Sequence, residues 1–216
     1  MAMEVKICGL RHPAQAQAIA ALGFTTLGFI CVETSPRYVS PKEIQSVLHS
    51  LTAYQGLLAI GVFANVSLAV IGQFCAQTNL NGIQLHGDEP PDFCLQVKRE
   101  FPQHRLIKAL RLRRSDDLQR AEDYYGAVDV LLLDAYHPEQ LGGTGQTLPW
   151  QNLQRFQPPL TWWLAGGLTP ANVGEALKLM RPDGIDLSSG VERAPADKDL
   201  AKVTQLRFQL DALPTF

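Results

Sequence analysis

A lysine and a cysteine two positions apart, Lys6 and Cys8, stand in a short apolar run that breaks at Gly9. Strand side chains alternate between faces, so Lys6 and Cys8 share one face and Val5 and Ile7 the other. A thiol at a strand end has two uses. It packs as a small hydrophobe, which is the commoner case, or its thiolate serves as base or nucleophile. Three other apolar runs also end in ionisable side chains: Gln84 shares a face with His86, Leu132 with Asp134, and Asp186 with Ser188. Singly, each has an ordinary explanation, Asp134 as a helix cap or loop ion pair and His86 as a surface or capping histidine. Together, a thiol, an imidazole and two carboxyls at four strand ends are the makings of an acid–base site.

Two glycine-rich breaks carry a different signal. Ala165-Gly166-Gly167 and Ser188-Ser189-Gly190 follow the last two apolar runs. Small residues let backbone N–H groups close around a phosphate, aided by a nearby helix N-terminus. Tight turns alone also use glycine, but two such breaks in adjacent final units favour the anion, with Gly166, Gly167, Ser189 and Gly190 as its partners. Lys6 and Lys108 lie within their runs, where an inward lysine either attacks a carbonyl as a Schiff-base amine or pairs with a buried acid.

The elements that position these groups follow one rhythm, a short apolar run, a polar or glycine break, then an amphipathic stretch of helical period. Strands are expected at 5–7, 26–30, 57–63, 82–85, 105–110, 130–133, 161–164 and 184–187. Helices are expected at 13–22, from Pro41, at 67–77, 90–100, from about Ser115, at 150–156, from Thr169-Pro170 to Met180, and from about Asp197. Ser40-Pro41 with Glu43 reads as an N-cap, a first-turn proline and an acid at the positive helix end. Between Asp134 and the seventh strand, Gly142-Gly143-Thr144-Gly145 has no hydrophobic period and reads as a mobile loop. Eight strand–helix alternations without a linker make residues 1–216 a single (β/α)8 barrel domain, with the strand-end residues gathered at its C-terminal mouth. An open doubly wound sheet would need no eighth unit.

Composition narrows the setting. Of 216 residues, 46% are hydrophobic and 19% charged, and the net charge of -2 gives no reason to expect nucleic acid or an anionic membrane as partner. No apolar stretch approaches the roughly 20 residues of a membrane span. The N-terminus runs straight into the first strand without a signal peptide. Cys8, Cys31, Cys75 and Cys94 are scattered, with no CxxC pair, which points to reduced thiols in a cytoplasm and to no metal site. Neither spacing nor composition selects between a monomer and a homodimer.

The ordered motifs Lys6-Ile7-Cys8-Gly9, Ser35-Pro36-Arg37-Tyr38, Gly61-Val62-Phe63, Gln84-Leu85-His86-Gly87, Leu133-Asp134, Gly142-Gly143-Thr144-Gly145, Ala165-Gly166-Gly167-Leu168 and Asp186-Leu187-Ser188-Ser189-Gly190-Val191-Glu192 resemble the phosphoribosylanthranilate isomerase family. The resemblance runs from about Val5 to Lys198. It implies a (β/α)8 barrel of tryptophan biosynthesis, without cofactor, acting on a phosphosugar. The implied reaction is the Amadori rearrangement of N-(5-phosphoribosyl)anthranilate to 1-(2-carboxyphenylamino)-1-deoxyribulose 5-phosphate.

The resemblance also implies roles. Asp134 becomes the acid that opens the ribose ring and Cys8 the base at C2′. Arg37, whose planar fork suits a carboxylate, is the candidate partner of the anthranilate carboxylate or else pins its own loop, and Gln84, His86 and Asp186 position the substrate or support the residues that do. Such a base needs a lowered thiol pKa, for which the charge of Lys6 is the expected cause. Two departures stand out: the family commonly has lysine where this chain has Gln146, and often an aromatic residue at Cys31. A histidine-biosynthesis isomerase with the same chemistry places an aspartate where Cys8 stands and looks like duplicated halves, and this chain shows neither. A catalytically silent phosphosugar-binding barrel would not need both Cys8 and Asp134.

Overall fold

The computed structural model describes residues 3–112, 115–135 and 150–213. Its first strand, β1 (Glu4–Cys8), pairs on one side with β2 (Thr26–Ile30) and on the other with β8 (Gly184–Leu187). That second pairing closes the sheet. Between them β3 (Leu58–Phe63), β4 (Gly82–Leu85), β5 (Arg105–Leu112), β6 (Val130–Ala135) and β7 (Thr161–Ala165) follow in chain order, all parallel. The expected eight-stranded barrel is what the chain forms.

Helices α1 (Pro13–Ala21), α2 (Pro41–His49), α3 (Leu68–Gln77), α4 (Pro91–Glu100), α5 (Val173–Leu179) and α6 (Leu200–Asp211) cover the outside. The opening of α2 is as expected: the Ser40 side chain accepts from the Glu43 N–H, and the Glu43 carboxylate accepts from the Ser40 N–H at 2.8 Å. That reciprocal pair satisfies two donors the helix cannot use itself.

Strand alternation divides the apolar residues into two cores. Ile7, Leu27, Phe29, Ile83, Leu85, Leu131, Leu133, Leu164 and Ile185 face the helices. Ile60, Ile107, Ala109, Val130, Leu132, Trp163 and Ala165 fill the barrel itself. At the N-terminal end Arg105 closes the interior, bonding Glu4 Oε1 at 2.7 Å and lying 5.2 Å from the Trp163 ring centre. The interior is therefore sealed below and polar above.

Four expected helices differ, the one expected from Thr169-Pro170 starting only at Val173 because the Thr169 and Asn172 side chains accept from each other's backbone N–H groups ahead of it. Residues Ser115–Tyr124 form a 3-10 helix. Its apolar anchors Leu118, Ala121 and Tyr124 recur every third residue, the spacing a three-residue turn aligns on one side. The helix expected at 150–156 is a 3-10 turn, Trp150–Leu153. The last helix starts later than Asp197, because Asp197–Lys198 (β10) pairs antiparallel with Glu192–Ala194 (β9). Asp199 then caps α6 by accepting from the Ala201 and Lys202 N–H groups. The glycine-rich stretch at 142–145 and Gln146 lie outside the described residues. Among the described residues, no helix is long and apolar enough to cross a membrane.

Candidate active site

At the C-terminal mouth a cleft of about 220 Å³ is lined by Cys8 from β1, Gln84 from β4 and His86 just after it, Asp134 from β6, Gly166 and Gly167 after β7, and Asp186, Ser189 and Gly190 from β8 and beyond. Nine of the ten residues singled out from the sequence thus meet in one cavity, with Ile30, Val62 and Ala165 supplying apolar wall. Parallel pairing brings them there, since every strand delivers its last inward side chain to the same end.

Cys8 and Lys6 are both buried, 4% and 0% exposed. Room for them comes from Gly28 on β2, the register partner of Cys8, where a Cβ would stand 2.7 Å from the Cys8 sulfur. Lys6 Nζ donates to Asp186 Oδ2 at 2.9 Å and also reaches the thiol. Burial pulls the Lys6 pKa down, but Asp186 and Cys8 more than reverse this, and Lys6 remains an ammonium. For Cys8 the balance differs from the sequence expectation. Burial raises its pKa, Asp186 adds to that, and the opposing pull of Lys6 and Lys198 does not overcome them. Its surroundings thus favour the thiol over the thiolate.

Across the mouth, a chain of polar contacts leads to Asp134. The Gln84 amide nitrogen lies 3.0 Å from His86 Nδ1, and His86 Nε2 lies 3.4 Å from Asp134 Oδ2. With the amide donating, His86 accepts at Nδ1 and presents its Nε2–H to Asp134. The loop carrying His86 is fixed from below. Glu89 accepts from the Gly87 and Asn65 N–H groups and from Lys108 Nζ, and Tyr124 bonds the Glu89 carbonyl. Lys108 is accordingly an interior ion-pair partner.

The two glycine-rich turns touch each other. A Cβ on Gly190 would come 1.8 Å from the Leu168 carbonyl oxygen, so only glycine allows the approach. Gly166 and Gly167 both have positive φ, 93° and 65°, conformations glycine adopts without penalty. Around the cavity three buried polar atoms lack a hydrogen-bond partner among the described residues: Gln84 Oε1, Asp186 Oδ1 and Ser188 Oγ. Buried polar groups are seldom left so, and here they flank the space a polar ligand would fill. Ser188 was visible in the sequence through its shared face with Asp186, yet its hydroxyl is as much part of the wall as the residues chosen.

Arg37 is the exception. It does not line the cleft; its Nε and Nη2 bond the Glu192 carboxylate at 2.6–3.0 Å. Glu192 itself was not singled out. It lies in β9, 155 residues from Arg37, and no local pattern links the two.

A family model described as N-(5'phosphoribosyl)anthranilate (PRA) isomerase matches residues 5–208. The chain belongs to the phosphoribosylanthranilate isomerase family. It is 81% identical over 213 residues to N-(5'-phosphoribosyl)anthranilate isomerase of Synechocystis sp., covering 99% of this chain and 98% of that one. A relative of the same name from Rippkaea orientalis is 57% identical over 96% of each chain. Among solved structures, phosphoribosyl anthranilate isomerase from Thermotoga maritima superposes with a TM-score of 0.86 at 31% identity, covering 98% of this chain and all of that one. A further member of the isomerase family, solved in complex with reduced 1-(o-carboxyphenylamino)-1-deoxyribulose 5-phosphate, gives 0.82 at 29% identity over the same shares.

Proposed function

We propose that this chain converts N-(5-phosphoribosyl)anthranilate to 1-(2-carboxyphenylamino)-1-deoxyribulose 5-phosphate. The observation that carries the reading is that Cys8 and Asp134, from strands on different sides of the barrel, line one cleft with the glycine-rich turns. A phosphate held by the backbone at Gly166, Gly167, Ser189 and Gly190 lays the ribose across the mouth between thiol and carboxyl.

Asp134 acts as acid. It protonates the ribose ring oxygen, the C1′–O bond breaks, and the anilino nitrogen lone pair forms an iminium. Cys8, as thiolate, takes the C2′ proton, and the C–H electrons form the C1′–C2′ double bond of an enolamine while the nitrogen recovers its lone pair. Loss of the O2′ proton and protonation at C1′ give the ketone. The thiol first gives its proton to solvent, and the ammonium of Lys6, joined by the positive charge of the iminium, favours the thiolate left behind. His86, held by Gln84, orients Asp134, while Asp186 Oδ1 and Ser188 Oγ are placed to bond sugar hydroxyls. The remaining amino group of Arg37 pairs with the anthranilate carboxylate.

The test is the decay of anthranilate fluorescence when the purified protein meets substrate generated in situ. Decay much faster than in buffer supports the reading. Decay no faster than in buffer leaves only a phosphate-binding barrel.

A further inference from the structure

The mechanism makes no use of a buried charge cluster directly behind it. Glu192 in β9 is almost fully enclosed, and Lys198 in β10 is 0% exposed. The Glu192 carboxylate accepts from Lys198 Nζ at 2.8 Å, from the Ala196 N–H at 3.2 Å, and from Arg37. Lys198 Nζ also donates to the Ser188 carbonyl at 3.2 Å. Burial works against the Glu192 charge, but Arg37 and Lys198 prevail and hold it below the usual carboxylate range.

Gly9, the residue after Cys8, marks where these groups converge. A Cβ built there would stand 3.0 Å from Arg37 Cδ, 3.2 Å from Ser188 Oγ and 3.5 Å from Glu192 Oε1. One carboxylate–ammonium pair therefore grips two separate parts of the mouth. Through Glu192 it holds Arg37, on the loop after β2. Through Lys198 it holds Ser188, the first residue of the turn after β8. Buried ion pairs contribute little net stability compared with well-packed apolar side chains, so a positional role accounts for the pair better than a stabilising one.

We propose that Glu192 and Lys198 are positioning residues that fix the spacing between the carboxylate-binding and phosphate-binding ends of the site. The inference rests on the isomerase reading for what occupies those ends, and deepens it. The hairpin sets the length of ligand the mouth accepts, and loosening it weakens both ends at once.

Calorimetric titration with anthranilate and with inorganic phosphate tests this in the parent, Glu192→Gln, and Glu192→Gln/Lys198→Met. The double variant removes both buried charges together and carries the test where the single variant leaves Lys198 unpaired and fails to fold. The expected result is that both probes bind roughly tenfold more weakly, with a raised KM. Arg37→Met, by contrast, weakens anthranilate alone. A folded variant with a lower Tm but unchanged binding of both probes would overturn the proposal, because the pair would then be structural only. Weakening of anthranilate alone would overturn the coupling. An inactive parent that binds both probes would sink the isomerase reading and leave the hairpin test standing.

Discussion

Lys6 and Asp186 are register partners across the β1–β8 seam that closes the barrel, and their side chains meet at 2.9 Å beside the Cys8 strand end. The pair places a fixed positive charge beside Cys8 and leaves the buried Asp186 Oδ1 without a partner among the described residues. Structure and electrostatics are thus set by the same two residues.

Replacing Lys6 by Met strands the carboxylate in a largely buried position. Breaking a buried pair this way costs about 3–5 kcal/mol, and urea unfolding measures it. The same change removes the largest opposing influence on the Cys8 thiol, so alkylation by iodoacetamide should need a more alkaline pH than in the parent. An alkylation profile unchanged by the substitution would mean that Lys6 does not act on the thiol.

The raised thiol pKa fixes the direction of the pH dependence. A base works deprotonated, and kcat/KM reports the free enzyme. It should therefore climb as pH rises above neutrality, toward a thiol pKa above the ordinary cysteine value. A kcat/KM already at its plateau at neutral pH would contradict the raised thiol pKa.

Gly190 is tested most simply by alanine. The added Cβ would lie 1.8 Å from the Leu168 carbonyl oxygen, so the turns after β7 and β8 must separate. Forcing a methyl into packed space costs typically about 1–3 kcal/mol. The expected signature in calorimetry is weaker binding of inorganic phosphate with anthranilate binding kept. Parent-like phosphate binding in a folded Gly190→Ala variant would take the anion elsewhere.

Glu192 also leaves a trace in stability. Its folded pKa is held low, so as pH falls the unfolded chain takes up this proton first. Its contribution is complete above the unfolded value, about 4.3, and is lost as pH drops through the folded one. Between pH 5 and 3 the parent should lose stability more steeply than Glu192→Gln/Lys198→Met, as followed by thermal unfolding. Equal slopes would contradict the depressed pKa.

The barrel was legible because its signal is local and repeated. Each strand announces itself within a few residues, and alternation alone put Lys6 beside Cys8 and Asp134 at the mouth. What escaped was set by distant pairing. Arg37 reads as a free fork until Glu192, far along the chain, takes two of its nitrogens. Asp197 and Lys198 read as the start of a helix, and only the contact with β9 makes them a strand. The thiol's raised pKa comes from enclosure by the whole mouth, which no single run of sequence carries. The 3-10 helix over Ser115–Tyr124 reads in the sequence only as a helix starting near Ser115, and its tighter winding shows in the three-residue spacing of the side chains it buries.

The acid–base pair itself is tested most directly by rapid-mixing single turnovers of the parent, Cys8→Ala and Asp134→Asn, followed by anthranilate fluorescence. General acid and base groups contribute about 10²- to 10⁴-fold each. The expected result is a loss of that size in the rate of the chemical step in both variants, with the substrate concentration giving half the maximal rate little changed. Near-parent turnover in either variant would contradict the role assigned to that residue.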